Sequence, residues 1–197
     1  MFRRGKAAPL ELLKMGHPLL RQRSAPFEAR EITERTTRKQ VDRMLATMQD
    51  FGGEDSVSAG LAAPQVGWMK RLVILDAPLS QVPRTVCFNP ELSVVDESPI
   101  LMEESCMSVP GLVAPVVRAR SVSVSYVDSD GCQRSFTASG WCAGLVQHEL
   151  DHLDGILLVD RVKSTNLHFI EPYFEYVQPH IASKLVQDGD MVFDKTT

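Results

Sequence analysis

The spacing of apolar residues changes along the chain, and each spacing predicts a type of secondary structure. Between residues 32 and 51, apolar side chains recur every three or four positions, which is the pattern of an amphipathic helix. The glycine pair at positions 52 and 53 is expected to end this helix. Its apolar face is therefore expected in the core. That face consists of Val41, Met44, Leu45 and Met48.

Shorter stretches have the patterns of strands. RLVILD (71–76) and TVCFNP (85–90) are apolar runs that indicate buried strands, and Pro90 is expected to end the second. Further along, SVSVSYV alternates strictly between serine and apolar side chains, as a half-buried strand does. The turn sequence DSDG (128–131) and a second apolar run follow it. Residues 121–138 are therefore predicted to form a β-hairpin.

The stretch from residue 139 to 155 is apolar on almost every side of a helical projection, which predicts a buried helix. Ser139 is a suitable N-cap, and Gly155 a suitable residue to end the helix. The apolar positions of this helix are Trp141, Leu145, Val146, Leu150 and Leu153.

Together these elements predict a single α+β domain over residues 1–197, with antiparallel β-sheets around the central helix. An N-terminal helix and a C-terminal helical region, at about 164–187 with interruptions at Pro172 and Pro179, complete the predicted fold. Residues 1–10 are expected to be disordered. A chain of 197 residues with 44% hydrophobic and 23% charged residues can bury a sizeable core.

Charge and cysteine content narrow the function classes. A net charge of −4 argues against a DNA-binding protein. The sequence contains no run of 18 apolar residues, so no membrane span is expected. The four cysteines include no C-x-x-C pair, which favours free thiols in a reducing compartment. The basic first ten residues fit a plain terminus or the remnant of an organelle transit peptide equally well. Three cysteines lie in strand or helix patterns and are expected to be buried small hydrophobic residues: Cys87, Cys132 and Cys142.

The central helix carries the pattern H-E-x-x-H, formed by His148, Glu149 and His152. Positions i and i+4 lie one turn apart on the same helix face, so the two imidazoles can bind one metal ion. A glutamate at the second position can act as a general base on water. Buried charge is costly unless it is paired or binds a metal, and the apolar surroundings therefore favour a functional site.

A hydrolytic metal site uses a third protein ligand, and the residues offer two sources. One is a downstream carboxylate, Glu171 or Glu175; the other is the thiol of Cys106, in the loop-like stretch EESCMSVPG. A third stretch, SAGLAAPQVG (58–67), combines small residues that allow close approach of a ligand with the side-chain amide of Gln65. That amide can donate a hydrogen bond to a developing oxyanion.

Three motifs together resemble the peptide deformylase family: GLAAPQ (60–65), ESCMS (104–108) and QHELDH (147–152). They occur in the order of the family and at a suitable spacing. The resemblance extends over about residues 12–165, with LLKMGHPLLRQRS (12–24) similar to the N-terminal segment of the family. The stretch from residue 138 to 162 is similar to the last strand and central helix of the family.

This resemblance implies a reaction and a cofactor. The reaction is hydrolysis of the N-formyl group from the initiator methionine of nascent peptides, which the protein would meet at the ribosome. The metal ligands would be Cys106, His148 and His152, and a thiolate with two imidazoles suits iron or zinc better than magnesium or calcium. Family members usually hold Fe(II), which Zn(II), Ni(II) or Co(II) can replace.

The resemblance also implies roles for further residues. Glu149 would be the general base, while Gln65 and the backbone N–H of Met107 would stabilise the oxyanion. Gly60 would present its backbone to the peptide. The pair Glu104 and Arg118 would hold the Cys106 loop, and Asp151 would orient a neighbouring group. The methionine pocket would be formed by Ala59, Trp141 and Leu145.

Three positions differ from the family pattern: Ser58 and Ser105 replace glycines, and Val113 replaces an arginine that contacts the substrate backbone. If the second glycine needs a positive φ, Ser105 is strained. These differences leave two alternatives open: a catalytically weak peptide-binding protein, and an H-E-x-x-H peptidase with a carboxylate as third ligand. Formylated initiation places the protein in a bacterial cytoplasm or in the matrix of a mitochondrion or plastid.

Overall fold

The fold is an antiparallel sheet that wraps around one buried helix. A computed structural model describes residues 7–52, 59–77, 82–186 and 189–194. Within these residues, seven strands form one sheet in the order β1-β2-β3-β4-β5-β7, and β6 pairs with β4. The strands are β1 Gly60–Ala62, β2 Leu72–Ala77, β3 Val82–Cys106, β4 Val109–Val127, β5 Gln133–Ser139, β6 His168–Phe169 and β7 Met191–Phe193.

The two long strands β3 and β4 dominate the sheet. Their register shifts at several places, and such bulges bend a strand pair and increase its twist. The prediction that Pro90 ends its strand is wrong, because β3 continues through it to Cys106. Pro90 lies at a register shift, next to Asn89 with φ of 47°, where the missing N–H interrupts no regular ladder.

The other predicted strands are confirmed with small changes in their bounds. The run predicted at 71–76 is β2, and the hairpin predicted at 121–138 is formed by the end of β4 and by β5. Asp128 stabilises the turn of this hairpin, since its carboxylate accepts hydrogen bonds from the backbone N–H groups of Asp130 and Cys132. Cys132 is exposed in this turn, so the prediction that it is buried is wrong, whereas Cys87 and Cys142 are buried as predicted.

Helices account for the N-terminal region, the centre and part of the C-terminal region. The predicted N-terminal helix is confirmed as α2, although it begins at Arg35 because a separate capped turn, α1, precedes it. The helix was predicted to end at the glycine pair 52 and 53; α2 extends to Gly52, and Gly53 lies outside the described residues. The helices are α1 Ala29–Ile32, α2 Arg35–Gly52, α3 Gly140–Leu153, α4 Ile170–Pro172 and α5 Gln178–Ile181, with a π-helical turn Tyr173–Val177 between the last two.

The predicted buried helix is α3, which packs against the sheet through residues of β2, β4 and β5. Ser139 has the extended backbone of an N-cap, but its side-chain Oγ accepts a hydrogen bond from the N–H of Asp190 instead of capping α3. Gly155, with φ of 75°, follows the end of the helix as predicted. Because α3 is buried on most sides, its polar residues must find partners inside the protein.

The predicted C-terminal helical region is confirmed in part. Its described portion, residues 164–186, contains the strand β6 and then consecutive short helical segments of different types from Ile170 to Lys184. The helix type changes after Pro172, whereas Pro179 lies within α5 and does not interrupt it. The chain also pairs with the sheet at Leu185, which a helix could not do. Among the described residues, no helix is long and apolar enough to span a membrane.

Close contact between α3 and β3 leads to a first prediction. A Cβ atom added at Gly144 of α3 would overlap the Sδ atom of Met102, which is buried in β3. Overpacking of this kind costs about 1–3 kcal/mol, so Gly144→Ala should lower the free energy of unfolding by that amount in denaturant titrations. The double variant Gly144→Ala/Met102→Ala should be less destabilised than the two single changes add up to. Strict additivity would show that the two residues are not in contact.

Candidate metal centre and active site

One cavity brings the three motifs together. It has a volume of about 370 Å³ and opens between β1, the end of β3, the start of β4 and the helix α3. Every motif of the sequence contributes to its wall, so the residues that the sequence singled out are neighbours in space. The motif residues in the wall are Gly60, Gln65, Glu104, Ser105, Cys106, Met107, His148 and Glu149, and the residues expected to form the methionine pocket are also there: Ala59, Trp141 and Leu145.

Cys106, His148 and His152 form a buried cluster with the properties of a metal site. Their potential ligand atoms lie within 4.8 Å of one another, and Cys106 Sγ is 3.3 Å from His152 Nε2. The two imidazole rings are edge to face, with centroids 5.0 Å apart, as expected one turn apart on α3. Cys106 is the last residue of β3 and not part of a loop, because it pairs with Val109 of β4 across a two-residue turn.

The donor set of this cluster fits a divalent transition metal. Three protein ligands with a cavity beside them match a hydrolytic site, in which one coordination position stays available for water or substrate. A thiolate and two imidazoles are ligands that zinc and iron accept. The described residues offer no hydrogen-bond partner to the Oε2 atom of Glu149 or to the Nδ1 atom of His152, both of which are buried. An orphaned carboxylate oxygen beside three ligands suits a site that positions water.

A network of charges fixes one of the imidazoles. His148 Nδ1 lies 2.9 Å from Glu104 Oε2, and the guanidinium of Arg118 donates to both oxygens of Glu104, at 2.7 and 3.0 Å. Burial would raise the pKa of Glu104, but the hydrogen bonds from His148 and Arg118 lower it to about 2. Burial likewise opposes the charged form of His148, yet contacts with Cys106 and Glu104 outweigh it and raise the pKa well above the usual value.

The same network continues to the surface through Asp151. Arg118 Nη1 donates to Asp151 Oδ2 at 2.6 Å, and Arg161 donates to the same oxygen at 2.9 Å from its Nε. Asp151 therefore lies between two arginines, one buried and one half exposed. Since Arg118 belongs to β4 and Asp151 to α3, the network connects the strand pair that carries Cys106 with the helix that carries both imidazoles.

Glu149 is buried against the backbone of β1. Burial raises the pKa of its carboxyl group to about 7. A Cβ atom added at Gly60 would come within 2.5 Å of Glu149 Oε1, so only glycine leaves room for the carboxylate in this position. The sequence predicts that Gly60 presents its backbone to the peptide; the structure shows a different constraint, because Gly60 leaves room for Glu149.

Gln65 is 1% exposed and its amide has a fixed orientation. Its Oε1 accepts a hydrogen bond from the N–H of Ala62 at 2.8 Å. Its Nε2 is thereby directed to the other side, where it lies 3.6 Å from Cys106 Sγ and 3.3 Å from Ser108 Oγ. One N–H donor is therefore held next to the cluster of potential metal ligands.

The positions that differ from the family pattern are accommodated without strain where the structure describes them. Ser105 lies in the extended strand β3 and has no positive φ, so the strain considered for it is absent. Val113 is 2% exposed and lies outside the cavity wall. Ser58 lies outside the described residues.

The carboxylates considered as alternative third ligands do not lie in the same group of potential metal ligands as the two histidines. Among the described residues, the group of potential metal ligands consists of Cys106, His148 and His152. Glu171 and Glu175 belong to the C-terminal helical turns, and neither lines the cavity. The H-E-x-x-H peptidase alternative is therefore not supported.

Several residues of the site were not identified from the sequence. Arg161 joins the charge network, and Phe51, Met102, Glu103 and Ile170 line the cavity. Their positions depend on contacts between distant parts of the chain. Arg161 is the one of these residues that the sequence could have indicated, because it follows the H-E-x-x-H helix by only eight residues.

The fold and this buried Cys-His-His cluster define a metal-dependent hydrolase. A sequence model described as polypeptide deformylase matches residues 9–168. The peptide deformylase of Stenotrophomonas maltophilia (strain R551-3) is 35% identical over 175 residues, which cover 89% of this chain and 99% of the relative. That of Halothermothrix orenii is 39% identical over 153 residues, covering 78% of this chain and 93% of the relative.

Solved structures give the same assignment. A class I type b peptide deformylase from Acinetobacter baumannii with bound Met-Ala-Ser has a TM-score of 0.73 and 34% identity, over 79% of this chain and 99% of that one. The chain belongs to the polypeptide deformylase family. It is accordingly a metal-dependent hydrolase that removes the N-formyl group from the formylmethionine of newly made peptides.

The charge network predicts that Asp151 influences metal affinity without binding the metal. Asp151→Asn removes a charged partner of Arg118 and loosens the support of Glu104 and His148, which should weaken metal binding about 10-fold. Competition with a chelator measures this affinity. Asp154→Asn is the matched control, because Asp154 follows the same helix but pairs with Arg71 and Arg23 outside the network. Equal affinities of both variants would contradict the role of Asp151.

Proposed function

We propose that deformylation takes place in the 370 Å³ cavity, on a divalent ion held by Cys106, His148 and His152. The observation that carries this proposal is the buried oxygen of Glu149, which has no hydrogen-bond partner among the described residues. This oxygen belongs to a carboxylate that lines the cavity, next to His148 in the cluster of potential metal ligands. A water molecule in the cavity would satisfy this oxygen and would be placed for attack on a formyl carbon.

The substrate end of the cavity is apolar. Ala59, Trp141 and Leu145 form part of its wall, and we assign the methionine side chain to them. The Acinetobacter baumannii relative is a complex with Met-Ala-Ser, a peptide of the kind that deformylation releases, and this supports binding of the methionine in the cavity. Gly60, in the adjacent strand, would contact the peptide backbone.

Glu149 is the residue we assign to proton transfer. Its carboxylate takes a proton from the attacking water as the water oxygen bonds to the formyl carbon. The same proton then passes to the nitrogen of methionine, the C–N bond breaks, and formate and a free amino terminus are released. A carboxyl group with a pKa of about 7 is suited to both steps near neutral pH, because it can accept and return a proton.

Gln65 and Met107 are assigned to the oxyanion. The formyl oxygen gains negative charge as its carbon becomes tetrahedral, and preorganised donors stabilise that charge. The hydrogen bond from Ala62 orients the Gln65 amide so that Nε2 faces the cluster. The backbone N–H of Met107, directly after Cys106, would supply a second donor. Cys106, His148 and His152 would hold the ion, which would supply Lewis acidity to the formyl group and to water.

For the native ion we propose Fe(II), with Zn(II), Ni(II) and Co(II) as ions that the same ligands accept. The partners would be nascent formylated peptides, encountered at the ribosome. The compartment would be one in which initiation uses formylmethionine, either a bacterial cytoplasm or the matrix of a mitochondrion or plastid.

The first test is formate release from formyl-Met-Ala-Ser by protein loaded anaerobically with Fe(II) or Ni(II). Glu149→Gln should lower kcat by at least about 100-fold while the metal content stays at that of the wild type, because the residue transfers protons and is not a ligand. Cys106→Ala should instead lose the metal. If the loaded wild type releases no formate, the chain is a peptide-binding protein on this fold and the proposal is wrong.

A second test uses the contact between Gly60 and Glu149. Gly60→Ala should push the Glu149 carboxylate out of its position and lower kcat about 10- to 100-fold, since misplacement by an ångström has effects of this size. Metal content and melting temperature, measured on the same preparation, separate this effect from unfolding. An unchanged kcat with full metal content would show that the exact position of Glu149 is unimportant.

A further inference from the structure

A second cavity lies against a different face of α3 from the active site. Its volume is about 490 Å³, and the described residues of its wall include none of the candidate metal ligands. Positions spaced i, i+3, i+4 and i+7 along α3 and its C-terminal end line this second cavity: Gln147, Leu150, Asp151 and Asp154. The active-site cavity is lined by other positions of the helix, namely Trp141, Leu145, His148 and Glu149.

An ion pair connects the two cavities. Glu104 lines the active-site cavity and Arg118 lines the second cavity, and the guanidinium donates to both carboxylate oxygens, at 2.7 and 3.0 Å. The side chain of Arg118 is only 4% exposed, so its position is well defined. Glu104 in turn lies 2.9 Å from Nδ1 of His148. A molecule in the second cavity can therefore act on a candidate metal ligand through two successive contacts.

Three guanidinium groups line the second cavity, and two of its carboxylates are already shared. Asp151 pairs with both Arg118 and Arg161. Asp154 pairs with Arg71 and with an exposed arginine outside the wall. Among the described residues, the hydrogen bonds of Arg71 all come from Nη1, which leaves its Nε and Nη2 donors for a ligand. The third carboxylate of the wall, Glu91, is exposed, so water screens its charge.

The remainder of the wall is apolar. The apolar residues come from β3, β4 and α3, and they are Pro90, Leu92, Val117, Ala119 and Leu150. A cavity of this volume accommodates a small molecule, and guanidinium donors beside apolar side chains select the chemistry of that molecule. An anionic head would contact the arginines while an apolar body contacts the strands. A small carboxylate with an aliphatic tail has both parts.

We propose that the second cavity binds a small amphipathic carboxylate, and that this ligand weakens the binding of the active-site metal. The carboxylate accepts hydrogen bonds from Arg71 and Arg161 and competes with Glu104 for the guanidinium of Arg118. Glu104 then holds His148 less firmly, which lowers the affinity for the metal. By linkage, the bound metal lowers the affinity for the carboxylate by the same factor. This inference goes beyond deformylation, although its second half rests on the proposed metal ligands.

The first test is calorimetric titration of the Ni(II)-loaded enzyme with 4-methylpentanoate at constant ionic strength. The neutral isostere 4-methylpentanamide should bind at least about tenfold more weakly, because it lacks the charge. Arg71→Met should weaken carboxylate binding about tenfold by removing one cationic donor. Arg84→Met is the matched control, since Arg84 also pairs with an aspartate, Asp76, but does not line the cavity. It should keep the wild-type affinity.

The second test is chelator competition for Ni(II) with and without saturating 4-methylpentanoate. The carboxylate should weaken nickel binding about fivefold in the wild type and in Arg84→Met, and less in Arg71→Met at the same concentration. Melting temperatures identify any variant that fails to fold.

Three results would overturn the inference: no binding of the carboxylate, binding that Arg71→Met leaves unchanged, or nickel affinity that is unchanged at saturation. The second of these would locate the carboxylate elsewhere, for example on the metal. Failure of the wild type to bind nickel even without the carboxylate would instead contradict the proposed function. In that case, the titration of the protein with 4-methylpentanoate would still decide whether the second cavity binds carboxylates.

Discussion

The structure depends on the compensation of charge inside an apolar helix. Helix α3 is buried on most sides and yet carries two histidines and a glutamate, which would be expensive to bury without partners. His148 is compensated by Glu104, and Glu104 by Arg118, which spans the distance to Asp151 on the same helix. The Oε2 atom of Glu149 has no hydrogen-bond partner among the described residues, and burial raises the pKa of this carboxyl group to about 7. The helix thus contains one imidazole held in a charge network and one carboxyl group whose pKa is raised by burial.

The same network explains how the candidate metal ligands, which come from two distant parts of the sequence, meet in space. Cys106 ends β3, and the turn to β4 begins directly after it, so its position depends on the β3–β4 pair. Arg118 lies on β4 but contacts Glu104 of β3 and Asp151 of α3, and therefore ties both strands to the helix at one point. A bidentate guanidinium is well suited to this task, because its planar donors fix both the distance and the angle of a carboxylate.

Features that depend on local spacing could be predicted from the sequence. The i and i+4 histidines follow from helix geometry, and the alternating residues before DSDG specify a hairpin. The spacing of residues alone does not decide which residue is the third metal ligand. The resemblance of three motifs to the family favours Cys106 over the downstream carboxylates. The strand through Pro90, the short strand β6 and the positions of Arg161 and Ile170 could not be predicted. Each of these depends on which strand edges meet, and local propensity carries no information about that pairing.

The valine at position 113 is consistent with the pairing of β4 with β6. In the family pattern an arginine at this position contacts the peptide backbone, whereas Val113 is buried and its backbone pairs with β6. A long charged side chain at a position only 2% exposed would need a partner, so valine suits a strand whose outer edge is covered. The residue that follows β6, Ile170, reaches the cavity. The change at this position lies outside the cavity wall and leaves the candidate metal ligands, Glu149 and Gln65 in place.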